Sequence, residues 1–153
     1  MRRTETVTIP GVRTETLGQR DNGKTFILTE MPADQGERWA NRVIFAIGAA
    51  GIDLPEAVPA SGMAGLASVG IQSLLKVPYT IAEPLLDEMF QQVQFQLNPR
   101  APMQNIFSGD ESQIEEVPTR WKLRLALWKL HTGLGPKGDT TTSVSPPSEQ
   151  KAA

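Results

Sequence analysis

The pattern of apolar and polar positions is clearest along residues 24–51, where it changes from a period of two to a helical period. Phe26 and Leu28 fall on one face of a strand predicted over residues 24–30. Pro32 ends this strand, because proline has no N–H for a sheet and its fixed φ suits the first turn of a helix. A strand followed directly by a helix is therefore predicted here.

The helix predicted over residues 32–50 has a single apolar face. Its members recur at helical spacing and are Trp39, Val43, Ala46, Ile47 and Ala50. Gly51 follows where a residue in the left-handed conformation commonly ends a helix. The strand and this helix together are predicted to form the folding nucleus, with Trp39 at its centre.

A small antiparallel sheet is predicted at the N-terminus. A weak alternating pattern lies within the first nine residues, and residues 12–17 form a second strand pattern. Asn22 and Gly23 tolerate the positive φ angles of a tight hairpin turn. Residues 17–20 are therefore predicted to pair with residues 24–29, in a sheet of two or three strands that packs against the first helix.

Three further helices are predicted. One covers residues 59–76, and its glycines indicate close packing of another backbone. The next covers residues 81–97, opened by a capping box of Thr80 and Glu83. Its apolar face is Ile81, Leu85, Met89, Phe90, Val93 and Leu97. The last covers residues 118–131.

The remaining segments show no regular period. Residues 99–116 are predicted to be a long loop that is either mobile or a contact segment. Residues 134–153 contain too few apolar side chains to offset their ordering entropy, so they are predicted to be a disordered tail. The predicted architecture is α+β: residues 1–133 form one domain, in which the small N-terminal antiparallel sheet packs on about four helices.

Composition narrows the possible chemistry. With 15 basic and 17 acidic residues, the net charge of −2 gives no strong field toward nucleic acid or a membrane surface. The chain has no cysteine, which excludes disulfides and thiolate metal sites, and its one histidine, His131, excludes a histidine-rich metal site within one chain. The longest uncharged run, residues 57–75, approaches the length of a membrane span, but its proline and glycines favour a packing helix.

Every candidate catalytic or ligand-binding motif has a simpler structural interpretation. His131 falls in the last turn of a helix, where a protonatable ring interacts well with the terminal carbonyl groups. Residues 133–138, GLGPKG, lack the spacing and the lysine–hydroxyl pair of a phosphate-binding loop. An acidic cluster lacks the calcium-loop pattern and is predicted to be solvated; it comprises Asp110, Glu111, Glu115 and Glu116. No catalytic residue, cofactor or metal is predicted.

The last predicted helix leaves three interpretations open. Its basic residues interleave with tryptophans, as in a nucleic-acid-binding face; they are Arg120, Lys122, Arg124 and Lys129. Trp121, Leu125 and Trp128 form one apolar stripe, and a second stripe consists of Leu123, Leu127 and Leu130. Two stripes are more than a small core needs, so the helix either docks into a protein groove or is a core helix with a basic outer face.

Three segments of the chain resemble a known family. They are KTFILTEMP at residues 24–32, EPLLDEM at residues 83–89 and RLALWKLHTG at residues 124–133, within a resemblance that covers residues 17–133. The chain is similar to small proteins of long-tailed bacteriophages, the tail assembly chaperones encoded just ahead of the tape measure protein. The shared positions are packing and junction residues without a catalytic signature.

The resemblance implies a non-enzymatic assembly factor that needs no cofactor. Such proteins bind the long helical tape measure protein in the host bacterial cytoplasm, keep it soluble, assist polymerisation of the tail tube protein and are absent from the mature virion. No nucleic acid or membrane partner is expected, and a homo-oligomer stays open. The predicted partner-binding residues are Trp121, Leu125, Trp128, Met89, Phe90 and Val93.

Three other classes are weighed against this one. A structural minor tail or tail completion protein would be found in purified virions. A small DNA-binding regulator would use residues 118–131, against which the net charge and the lack of helix-turn-helix spacing count. An enzyme would need carboxylates that the sequence does not pair.

Overall fold

The computed structural model describes residues 1–9, 20–53, 65–67 and 70–133, and in this part the chain has an α+β fold, as predicted. The strands are β1 (Thr4–Thr8), β2 (Thr25–Thr29), β3 (Val93–Gln96) and β4 (Gln104–Asn105). The helices are α1 (Ala33–Ala49), α2 (Tyr79–Phe90) and α3 (Val117–Thr132), with short 3₁₀ helices at Ile71–Lys76 and Gly109–Glu111. The predicted disordered tail, residues 134–153, lies outside the described residues.

The four strands form one antiparallel sheet in the order β1-β2-β3-β4. Phe26 of β2 lies opposite Val7 of β1 on one side and Phe95 of β3 on the other, so apolar side chains line the face toward the helices. The opposite face carries mainly threonine and glutamine. The sheet is larger than the predicted two or three strands, because β3 and β4 come from the middle of the chain.

The predicted pairing of residues 17–20 with residues 24–29 is wrong. From Thr25 to Leu28, β2 has β1 on one edge and β3 on the other, so no edge is free for another strand. The turn itself forms, since the Lys24 N–H donates to the Asp21 carbonyl oxygen at 3.1 Å and Gly23 has a φ of 79°. Residues 12–17, predicted to be a strand, lie outside the described residues.

The first helix is confirmed. α1 begins directly after Pro32 and ends before Gly51, whose φ of 79° is the predicted left-handed conformation. Trp39, Val43 and Ile47 are fully buried, so the face identified from helical spacing is the face that packs against the core.

The helix predicted over residues 81–97 is wrong in its second half. α2 ends at Phe90, and β3 follows two residues later. Val93 and Phe95 of β3 lie opposite Leu28 and Phe26 of β2, respectively. Their alternation with glutamine fits a strand, and pairing with β2 decides between the two periods.

Two helix starts also differ from prediction. α2 begins at Tyr79 without a side-chain cap, so Thr80 and Glu83 do not form the predicted capping box. The helix predicted over residues 59–76 does not run through Gly70, which has a φ of 78° and precedes the 3₁₀ helix. Of its earlier part, the structure describes residues 65–67 as helical.

α2 packs between α1 and α3. The Trp39 indole meets the Trp128 ring edge-on, with centroids 5.9 Å apart, and its Nε1 donates to the Leu85 carbonyl oxygen at 2.9 Å. These contacts join one residue from each of the three helices at the centre of the core. Among the described residues no helix combines the length and the apolar character needed to cross a bilayer.

Candidate partner-binding site

The clearest unpartnered apolar surface is a ridge on the outside of α3. Val117, Trp121 and Leu125 are spaced four residues apart and remain 67%, 55% and 43% exposed. Their spacing places them on one face, about 12 Å long at the rise of an α-helix. We call these three side chains the α3 ridge.

The opposite side of α3 holds the helix in place. Leu123, Leu127 and Leu130 are buried, and Trp128 is buried with them against Trp39. α3 is therefore a core helix that also carries an exposed apolar ridge, and its docking into a protein groove stays a prediction.

The six predicted partner-binding residues divide between surface and core. Trp121 and Leu125 lie on the α3 ridge. The other four are buried: Trp128, Met89, Phe90 and Val93. Sequence reasoning missed Val117, although its place four residues before Trp121 is the signal that identifies it.

A shallow groove borders the α3 ridge. Leu125 and Ala126 of α3 and Glu5 and Val7 of the edge strand β1 line a volume of about 300 Å³. The apolar surface of the ridge therefore continues toward the sheet.

Two lysines of α3, Lys122 and Lys129, also line this groove. In the described ranges, neither forms an ion pair. The two arginines of α3 lie toward α2 instead: Arg124 donates to Asp87 at 3.0 Å, and Arg120 stacks on the Phe90 ring at 4.2 Å. The basic residues of this helix thus do not share one face.

A buried carboxylate positions the start of α3 and hence of the ridge. Asp21 is fully buried, and its oxygens accept the backbone N–H groups of Glu115 and Glu116, each with a shortest distance of 3.0 Å. Lys24 donates to Asp21 at 2.9 Å. Burial raises the pKa of Asp21, but the bonds from Glu115 and Lys24 outweigh it and bring the pKa below its ordinary value.

Lys24 extends this connection to the loop before α3. Its Nζ donates to the Gln113 carbonyl oxygen at 2.8 Å and to Glu115 at 3.0 Å. Burial lowers the pKa of Lys24, yet its bonds to Asp21 and Glu115 leave the pKa above the ordinary value. The Asp-Asn-Gly stretch, which the sequence identified only as a turn, is thus also an anchor for the last helix.

The predicted acidic cluster is divided by these contacts. Glu115 pairs with Lys24 at 3.0 Å and Glu116 with Arg20 at 3.6 Å. Asp110 and Glu111 remain exposed in a 3₁₀ helix, consistent with the predicted solvated loop. The described residues contain no group of three or more His, Asp or Glu side chains arranged to hold a metal.

A buried histidine anchors the other end of α3. The Met31 N–H donates to Nε2 of His131 at 3.0 Å, so the ring proton lies on Nδ1, which donates to the Leu127 carbonyl oxygen at 2.8 Å. Burial lowers the pKa of His131, and the Leu127 contact opposes this only in part. The ring is therefore neutral at pH 7, and its contact with the Leu127 carbonyl oxygen confirms the predicted structural role at the end of the helix.

The two buried titratable groups at the ends of α3, His131 and Asp21, are engaged in structural contacts. Both ring nitrogens of His131 are occupied, and the Asp21 carboxylate has backbone and lysine partners. Both groups therefore hold α3 in place. In this position of the helix, the α3 ridge faces outward. No protein-family model, curated protein or solved structure matches this chain.

Proposed function

We propose that this protein is a non-enzymatic tail assembly chaperone of a long-tailed bacteriophage. It binds the tape measure protein in the host bacterial cytoplasm and assists assembly of the tail tube protein around it. The observation that carries this proposal is the α3 ridge of Val117, Trp121 and Leu125, an exposed apolar row on a helix anchored at both ends.

The chemistry of the ridge matches a helical partner. A long helix that awaits enclosure in a tube exposes apolar faces, which need temporary cover. One helix face packs readily along another, and a partly exposed tryptophan is the side-chain type that most often dominates such contacts. Lys122 and Lys129 beside the ridge favour a partner helix with acidic residues flanking its apolar face.

The three segments that carry the family resemblance meet in the core. Met31, at the end of the first segment, donates to His131 in the third at 3.0 Å. Arg124, in the third segment, donates to Asp87 in the second at 3.0 Å. The segments that carry the resemblance therefore belong to the scaffold that orients α3.

Co-expression with the tape measure protein of the same genome tests the proposal. The wild-type chain is expected to keep the tape measure soluble and to co-purify with it. Trp121→Asp is expected to abolish both effects, because it places a charge in the middle of the α3 ridge. Phe45→Asp is the matched control, since Phe45 is an exposed aromatic residue on α1, and it should bind as the wild type does.

Two results would contradict the proposal. Equal loss of binding in Trp121→Asp and Phe45→Asp would move the contact away from the α3 ridge. Recovery of the protein in stoichiometric amounts from purified virions would favour a structural minor tail or tail completion protein instead.

A further inference from the structure

A second surface feature lies on the other side of α3. A cleft of about 630 Å³ opens between the end of α2, the β3–β4 part of the sheet and the first half of α3. Its polar lining consists of Gln35, Asp87, Gln91, Gln92, Asn105, Ser108 and Arg120. Side-chain amides, one hydroxyl group, one carboxylate and one guanidinium group therefore surround a space large enough for a few residues of extended peptide.

Arg120 is the distinctive group in this cleft. Its guanidinium stacks on Phe90 at 4.2 Å, and Arg124 lies over the same ring at 5.3 Å. The nearby Asp87 carboxylate bonds to Arg124 at 3.0 Å. Within the described part of the chain, Arg120 has no salt-bridge partner, because the Asp87 carboxylate pairs with Arg124.

The charge of Arg120 is incompletely compensated. Burial lowers its pKa, and the positive charge of Arg124 adds to that effect, while Asp87 opposes it. An anion placed in the cleft would remove this penalty. Arg120 and the neighbouring Arg124 together exceed the charge of Asp87 by one positive charge, which fits a singly charged anion, because Asp87 repels a doubly charged anion more strongly.

One wall of the cleft is already held in position. The Phe107 N–H donates to the Gln113 side chain at 2.9 Å, and the same side chain donates to the Asn105 carbonyl oxygen at 3.0 Å. The Gln94 amide also donates to the Asn105 side chain at 3.2 Å. A ligand would thus meet a wall that is already ordered, which reduces the entropy lost on binding.

We propose that this cleft binds a peptide carboxylate through the guanidinium group of Arg120. The planar fork of arginine matches the two oxygens of a carboxylate, and the Phe90 ring limits its orientations. The surrounding amides of Gln35, Gln91 and Gln92 complement the N–H and carbonyl groups of the same peptide. The site is separate from the α3 ridge and does not depend on the proposed chaperone function.

Short peptides titrated into the full chain and followed by NMR test this site. The probes are acetyl-Ala-Ala-Ala with a free carboxylate, acetyl-Ala-Glu-Ala amide and acetyl-Ala-Ala-Ala amide. We expect saturable shifts of the Arg120 Nε–H signal and the Gln35 and Asn105 side-chain amides with at least one carboxylate peptide. The peptide without a carboxylate should bind about tenfold more weakly or worse. Comparison of the first two probes distinguishes a C-terminal from a side-chain carboxylate.

Substitutions of Arg120 test whether its guanidinium group binds the carboxylate. Arg120→Gln should weaken carboxylate binding about tenfold or more, and Arg120→Lys should retain part of it. Arg38→Gln, on the exposed surface of α1, should leave binding unchanged. The proposal is overturned if the carboxylate and amide peptides give equal shifts, if none binds, or if a folded Arg120→Gln chain, judged by its backbone NMR spectrum, binds as well as the wild type.

Discussion

Met31 donates its backbone N–H to Nε2 of His131, 100 residues further along the chain, at 3.0 Å. This bond ties the junction between β2 and α1 to the last turn of α3. It requires a neutral imidazole, because a protonated ring has no lone pair to accept the N–H. Protonation of His131 is therefore expected to break this hydrogen bond and to destabilise the folded state.

Stability is expected to fall as the pH drops below the ordinary pKa of histidine. Burial lowers the folded-state pKa of His131 from 6.5, so the unfolded chain takes up a proton at a higher pH than the folded chain. The free energy of unfolding should be constant above this pH and decrease below it, by up to about 1.4 kcal/mol per pH unit, until the folded-state pKa is reached. Urea denaturation between pH 5 and 8 measures this dependence. In His131→Gln, the unfolding free energy should no longer depend on pH in this range. An unchanged pH dependence would mean that another titrating group causes it.

Asp21 is expected to be the most sensitive polar position at the start of α3. Asp21→Asn removes a buried charge that accepts hydrogen bonds from two backbone N–H groups and from Lys24. The new side-chain NH₂ group is itself a donor, so it cannot accept a bond from any of these groups. The free energy of unfolding should decrease by about 3 kcal/mol. Asp110→Asn, in the exposed 3₁₀ helix, should change stability by less than about 0.5 kcal/mol.

The same variant has a pH signature. The folded-state pKa of Asp21 lies below its ordinary value of 3.8, so its charge stabilises the fold above that pH and less as the pH falls through the folded-state value. The gap in unfolding free energy between the wild type and Asp21→Asn should therefore narrow in acid. A gap that stays constant down to denaturing pH would mean that the charge is not the stabilising feature.

The two core tryptophans should respond differently to phenylalanine. Trp39→Phe breaks the Nε1 bond to the Leu85 carbonyl oxygen. Trp128→Phe removes an indole N–H that is buried without an acceptor in the described structure. Both changes lose similar volume, so Trp39→Phe should be the more destabilising by about 1 kcal/mol. Thermal or urea unfolding of the two variants decides this, and equal losses would mean that the bond to Leu85 contributes little.

A pair of glycines on exposed helix ends should change stability in opposite directions. Gly133 has a φ of 79°, and a Cβ there would meet only the Arg3 side chain at 3.8 Å. Gly133→Ala should thus destabilise by about 1 kcal/mol through backbone strain alone. Gly48 is exposed within α1, where Gly48→Ala should stabilise by about 0.5 kcal/mol. Destabilisation by both substitutions would indicate a packing role instead.

The sequence was informative where a single local signal decided the structure. α1 and α3 could be predicted because apolar residues recur at helical spacing and Gly51 and Gly133 follow their last turns. β3 could not, since Val93 fits both the helical stripe that begins at Ile81 and the alternation with Phe95. Pairing with β2, 64 or more residues earlier in the chain, settles the choice.

Only part of the candidate site could be predicted, because helical spacing does not show which apolar face is covered by the rest of the fold. Trp121 and Trp128 both lie on apolar stripes of the same helix, and spacing alone does not say which one faces outward. Trp39 and His131 determine this by placing Trp128 in the core. The Arg120 cleft leaves no linear pattern, because its lining comes from α1, α2, α3 and the β3–β4 region.

The anchoring of α3 at both ends also has a consequence for synthesis on the ribosome. Asp21 finds its backbone partners 94 and 95 residues later, and Met31 finds His131 100 residues later. Asp21 and Met31 must therefore emerge before the groups that bond to them exist, and contacts so distant along the chain close slowly. Trp39 has no Trp128 ring to pack against until α3 has emerged from the ribosome, so the core cannot be completed before then.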